Sequence, residues 1–213
     1  MDADAVEIRV LGCLIEKQRT TPDAYPLSLN SLRLACNQAT SRDPVVDYDE
    51  PTIRAALERL SRKGWVRLAS GAGSRAAKYR HLLDSALSLD EAELSLLAVL
   101  MLRGPQTPGE LKQRTERLHS FGAGEVEEAL TRLVERELVT RLPRRPGEKG
   151  ERYTQLLGGE AAPPQGQGQS PGLSLVHSDP EPRIETRSQP SLEQRVARLE
   201  EEVARLRDEL AGR

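Results

Sequence analysis

Aromatic residues are nearly missing from this chain: one Trp, four Tyr and one Phe make up 3% of 213 residues. That composition excludes one large aromatic core and suits two small helical domains packed by Leu, Ala and Val. Only two cysteines occur, which excludes a disulfide framework; Cys13 and Cys36 each fall in an apolar helical pattern, where a free thiol packs as a small hydrophobe. The three histidines, His81, His119 and His177, stand far apart and none has metal-ligand spacing with a cysteine. No apolar run approaches the ~18 residues of a membrane helix. The start, Met1-Asp2-Ala3-Asp4, is acidic and lacks the basic-then-apolar form of a secretion signal, so a cytoplasmic protein without a membrane partner is expected. There is no Walker-type lysine loop, and Gly71-Ala72-Gly73 lacks the third glycine of a dinucleotide motif because Ala76 stands there. Cys13 has apolar neighbours and makes a poor nucleophile. The expectation is a non-enzyme with no catalytic residues, cofactor or metal.

A strong charge of one sign is also missing: the net charge is −2. Split along the chain it is +2 over residues 1–88, −1 over 89–158 and −3 over 159–213. If one part meets DNA, it is the first.

What the chain does have is a repeat. Ile53, Ala56, Leu57 and Leu60 mark one face of a helix, and Arg62-Lys63-Gly64 ends it. Trp65 to Leu68 reads as a strand, Gly71 to Ser74 as a turn and Ala77 to Arg80 as the return strand. Val126, Ala129, Leu130, Leu133 and Val139 stand 73 positions after Ile53, Ala56, Leu57, Leu60 and Val66, and Tyr153 answers Tyr79 one residue later. A helix followed at once by a hairpin is the second half of a winged-helix domain. Ahead of the first copy, residues 5–19 predict a helix with two adjacent apolar rows, and Ser28 caps a second, carrying Leu29, Leu32, Ala35 and Cys36. A third starts near Glu50-Pro51. In the second copy, Ser88 and Glu91 have capping-box spacing, Leu96 to Leu102 is almost wholly apolar, and Thr107-Pro108-Gly109-Glu110 is another box opening a helix to about Leu118. The third helix of this copy spans about Gly124 to Glu137.

The expected fold is therefore mainly α with small β-hairpins (α+β): winged-helix domain 1 over 1–86, winged-helix domain 2 over 87–158, a flexible Pro/Gly/Gln linker over 159–190 and a coiled-coil helix over 191–213. The linker text cannot bury enough apolar area to offset its ordering entropy. Leu192, Val196, Leu199, Val203, Leu206 and Leu210 recur at spacings of 4 and 3, with Val mostly at a and Leu at d. Arg195 with Glu200 and Glu202 with Arg207 are opposite in sign across a parallel pair, so a homodimer is expected; packing of this seam on the chain's own domains is the alternative.

Residues 9–50 resemble the YceH family, bacterial proteins of unassigned function. The resemblance rests on Arg9-Val10-Leu11-Gly12, Ile15-Glu16-Lys17, Thr21-Pro22-Asp23, Tyr25-Pro26-Leu27-Ser28-Leu29-Asn30, Ala35-Cys36-Asn37-Gln38 and Arg42-Asp43-Pro44. It continues through Gly73-Ser74-Arg75, Lys78-Tyr79, the run Arg103 to Leu111, Arg114 to Leu118 and Arg141 to Arg144, and implies tandem winged helices over residues 5–158.

In a winged helix the third helix enters the major groove and the wing touches backbone. Arg54, Arg59, Arg62 and Lys63 on the first third helix and Arg75, Lys78 and Arg80 on its wing are the DNA candidates, with Arg144 and Arg145 on the second wing. Asp47, Asp49, Glu50 and Glu58 oppose them, and a solvated charged face is the plain alternative. The second copy's third helix is acidic and reads equally well as a protein-binding surface. The family's loop signature, Tyr25, Asn30, Asn37, Arg42 and Asp43, can recognise a ligand or partner; the local alternative is that these side chains cap and brace nearby backbone.

Overall fold

Asp4 opens the first helix, α1 (Ala5–Thr20), through a reciprocal box: the Glu7 N–H donates to Asp4 Oδ1 and the Asp4 N–H to Glu7 Oε2, both at 2.8 Å. The structure is a computed structural model and describes residues 3–69, 76–144 and 150–158. From Ile8 to Ile15 every α1 residue is buried. A helix enclosed all round needs neighbours all round, and α1 packs on α2 (Leu29–Asn37), α3 (Glu50–Arg62) and α5 (Glu91–Arg103).

Ser28 caps α2 by accepting the Ser31 N–H (3.2 Å), and Asp49 caps α3 by accepting the Thr52 N–H (2.9 Å). The apolar spacing of α3 turns Ile53, Ala56, Leu57 and Leu60 into the core. Strands β2 (Val66–Leu68) and β3 (Lys78–His81) form the expected hairpin. A strand that periodicity does not reveal, β1 (Leu27–Ser28), adds to β3, giving the order β1-β3-β2.

The start of the second half differs from the sequence reading. A short helix, α4 (Leu83–Leu87), precedes it, and Ser88 lies beyond that helix's end at φ 48°, its N–H bonded to the Asp84 carbonyl. Ser88 thus caps the C-terminus of α4 and is not the N-terminal cap of α5. The box that opens α5 is Asp90 with Glu93, two residues later: the Glu93 N–H reaches Asp90 Oδ1 at 2.7 Å. Two overlapping pairs share one spacing, and the one whose first residue is free of α4 wins. All of Glu93 to Leu102 is buried, as that apolar run requires.

Thr107 and Glu110 do form the box that starts α6 (Pro108–Thr115), a helix shorter than its pattern suggests. Next come α7 (Glu125–Glu135), with Val126, Ala129, Leu130 and Leu133 inward, and the antiparallel strands β4 (Val139–Leu142) and β5 (Arg152–Gln155). A single bridge from Gln106 to Tyr153 stands where β1 meets β3 in the first half. The fold is α+β, seven α-helices with small antiparallel sheets among the described residues.

The halves share one hydrophobic core. Gly12 is the point of closest approach: a Cβ there would lie 2.9 Å from Leu102 Cγ and Cδ2 and 3.1 Å from Met101 Cβ. The Asp43 N–H donates to the Leu102 carbonyl (2.8 Å) and the Ala3 N–H to Leu157 (2.9 Å), so loops of each half satisfy backbone of the other. No described helix is long and apolar enough to cross a membrane. The predicted linker over 159–190 and the seam Leu192, Val196, Leu199, Val203, Leu206 and Leu210 lie outside the described residues.

Candidate nucleic-acid interface

Three cations of α3 and Lys63, which caps its C-terminus, divide into two pairs with different surroundings. Arg59 and Lys63 turn toward the start of α1. Arg59 Nη2 lies 2.5 Å from Asp4 Oδ2, and Lys63 Nζ lies 2.8 Å from Oε1 of the buried Glu7. Arg59 Nε is 3.7 Å from the other Glu7 oxygen, and Lys63 also stands over the Trp65 ring at 5.7 Å. Their charge is met in place, and both side chains brace α3 against the start of α1.

Arg54 and Arg62 make no ion pair among the described residues. With Leu57, Glu58, Ser61 and Tyr79 they line a shallow open cleft between α3 and the hairpin. Leu68, the cross-strand partner of Tyr79, is 58% exposed.

The hairpin adds a feature that the sequence does not show. In the β2–β3 register Arg67 faces Arg80 directly. Like charges opposite one another destabilise a pair unless something neutralises them, and neither makes an ion pair among the described residues. Arg80 is half-buried, and its Nε is buried without a hydrogen-bond partner. Lys78, exposed, is paired with Ser28 of β1. The missed residue is Arg67, whose relation to Arg80 depends on register. Arg75 and Arg145 lie outside the described residues, and Arg144 is exposed beyond β4.

The second half repeats the brace and carries the opposite charge at the positions equivalent to Arg54 and Arg62. The Asp90–Glu93 box receives Arg132 (Nη2 to Asp90 Oδ2 2.9 Å, Nε to Glu93 Oε1 3.2 Å) and Arg136 (Nη1 to Glu93 Oε2 3.2 Å). Arg132 and Arg136 stand 73 positions after Arg59 and Lys63. The same offset carries Arg54 to Glu127 and Arg62 to Glu135, both exposed. On the strands of the second hairpin, Arg141 pairs with Glu151 (3.0 Å) and Arg152 with Glu110 (3.1 Å).

The loop-signature residues take up local duties. Tyr25 Oη accepts the His81 N–H (2.9 Å), and burial pushes its phenol up to about 12. Asn37 clasps Tyr48, donating to its carbonyl (2.8 Å) and accepting its N–H (2.9 Å). Asn30 accepts from Arg33 (3.3 Å). Arg42, its side chain fully buried, forks onto Glu16 (3.0 and 2.6 Å) and donates to the Ala35 and Ser41 carbonyls. Asp43 contributes its backbone to the contact with Leu102.

Cys13 and Cys36 are free and buried. The hydrogen bond with Cys13, then burial, pushes the Cys36 thiol up, away from nucleophile chemistry. Among the described residues no three His, Cys, Asp or Glu side chains gather as a metal site needs.

A unit of three helices and a hairpin thus occurs twice among the described residues, and in the first copy two arginines border a cleft. A family model described as "Protein of unknown function, DUF480" matches residues 3–148. A UPF0502 protein of Shewanella sp. (strain ANA-3) is 45% identical over 206 residues, 93% of this chain and 91% of the relative. A UPF0502 protein of Geotalea uraniireducens (strain Rf4) is 52% identical over 163 residues, 75% of this chain and 74% of the relative. One of Opitutus terrae (strain DSM 11246 / JCM 15787 / PB90-1) is 45% identical over 198 residues, 91% and 81% of the two chains. The chain belongs to the DUF480 (UPF0502) family, to which the YceH-like motifs already pointed.

Proposed function

We propose that each half is a winged-helix module, that the chain is a non-enzymatic, regulator-like protein binding duplex DNA through its first half, and that it acts in the cytoplasm as a dimer joined through residues 191–213. The single observation carrying the DNA reading is the division of the α3 cations. Arg59 and Lys63 are held by carboxylates, whereas Arg54 and Arg62 flank an open cleft beside Tyr79 with no ion pair among the described residues. The like-charged Arg67 and Arg80 add cations that a polyanion would neutralise. Arginine suits this role because its planar fork meets phosphate or guanine with two hydrogen bonds.

A second reading, an adaptor whose winged helices bind protein, is favoured by α7, whose Glu127, Glu128 and Glu135 are exposed where a DNA reader would carry cations. Fluorescence anisotropy of a labelled duplex with the full chain separates the two. The DNA reading expects salt-sensitive binding that Arg54→Glu with Arg62→Glu abolishes. Binding unchanged by that pair, or none by the wild type at low salt, rejects it.

A further inference from the structure

We propose that the outer face of α7 docks into the α3–hairpin cleft of a second copy of this chain, head to tail. The two faces are the same surface of a repeated unit written with opposite charge. Arg54, Glu58, Ser61 and Arg62 border the cleft; 73 positions on stand Glu127, Thr131, Val134 and Glu135, which share one side of α7 by their helical spacing. Arg54 meets its opposite in Glu127 and Arg62 in Glu135. None of the four makes an ion pair among the described residues, whereas the braces Arg59, Lys63, Arg132 and Arg136 keep one sign in both copies.

Each face also presents an apolar side chain. Leu68 is 58% exposed at the hairpin side of the cleft, next to Tyr79, and Val134 is 38% exposed on α7. The outer face of α7 cannot reach the cleft of its own chain: α3 is packed on α1 and α7 on α5, and α1 meets α5 at Gly12 with no room for a Cβ. The partner is therefore another copy, and two different surfaces in contact make a heterologous interface that extends or closes into a ring. The inference needs charge complementarity alone and stands whether or not DNA binds.

Sedimentation velocity of the full chain at about 20 mM and about 0.5 M salt tests it, since screening removes contacts between exposed charges. Wild type is expected to associate at low salt and dissociate at high salt. Arg54→Glu with Arg62→Glu, and separately Glu127→Arg with Glu135→Arg, each lose that salt-sensitive step, because both of their faces then carry one sign. Mixing the two variants restores it. Pairing through the C-terminal residues is untouched by either change and remains as a common baseline. A wild type whose sedimentation ignores salt, variants that associate undiminished, or a mixture that sediments as the sum of its parts overturns the proposal.

Discussion

Lys63, at the C-terminal cap of α3, sets its ammonium 2.8 Å from a carboxylate oxygen of Glu7, whose side chain is only 2% exposed at the start of α1. That carboxylate also caps its own helix and faces Arg59. Glu93 does the same for α5, Arg132 and Arg136. Because the brace recurs, Glu7→Gln and Glu93→Gln should act alike, each lowering stability by about 1–3 kcal/mol through a lost charged hydrogen bond and a weakened cap. Arg59→Gln should cost under about 1 kcal/mol, since that side chain is a third exposed and its pair partly screened. Urea unfolding curves of the three variants measure this.

Gly12 permits the contact between the halves. Gly12→Val forces a branched side chain into the space of Leu102 and Met101 and should cost about 2–3 kcal/mol, consistent with overpacking. Combined with Leu102→Ala, the loss should fall short of the sum of the single losses, because the two changes relieve one clash. A double-mutant cycle by denaturant unfolding tests the coupling.

His81 gives the fold a pH dependence. Its side chain is fully buried, with Nε2 2.5 Å from Gln18 Oε1 and Nδ1 without a hydrogen-bond partner. Burial pushes the imidazole down to about 4; Asp84 pulls the other way, while Arg80 and Arg19 reinforce the drop. Unfolded, the ring titrates near 6.5, so between these values the unfolded chain binds more protons. Stability is full above pH ~6.5, declines as pH falls toward 4 and levels below it, a loss of about 3 kcal/mol from this group. Urea midpoints from pH 7 to pH 4 should show that slope, and His81→Gln should flatten it.

Arg42→Ala strands the buried side of Glu16 and frees two carbonyl groups, so a loss of about 3–5 kcal/mol is expected. Arg42→Lys should recover little of it, because an ammonium cannot make the planar fork. Thermal unfolding of both variants decides whether this family residue braces the loop or serves a ligand.

The core rows of α3 and α7, the caps at Ser28 and Thr107 and both hairpins were legible in the sequence because each depends on neighbours a few residues apart. What was hidden depends on distance along the chain. Strand β1 is two residues long and exists only through its pairing with β3. Arg59 looks no different from Arg54 until Asp4, 55 residues away, is brought beside it. The local alternative for Tyr25, Asn37 and Arg42 could be posed from residue type, but the partners His81, Tyr48 and Glu16 could not be chosen that way.

The most direct test of the central claim is the salt dependence of duplex binding, taken as the slope of log affinity against log salt. Each phosphate contact contributes about 0.9 to that slope. Arg54→Gln with Arg62→Gln should flatten it by roughly 2, while Arg59→Gln with Lys63→Gln, whose charges are already met by Asp4 and Glu7, should leave it near the wild-type value. Equal slopes for the wild type and the Arg54/Arg62 variant, or a larger fall on removing the braces, would contradict the account.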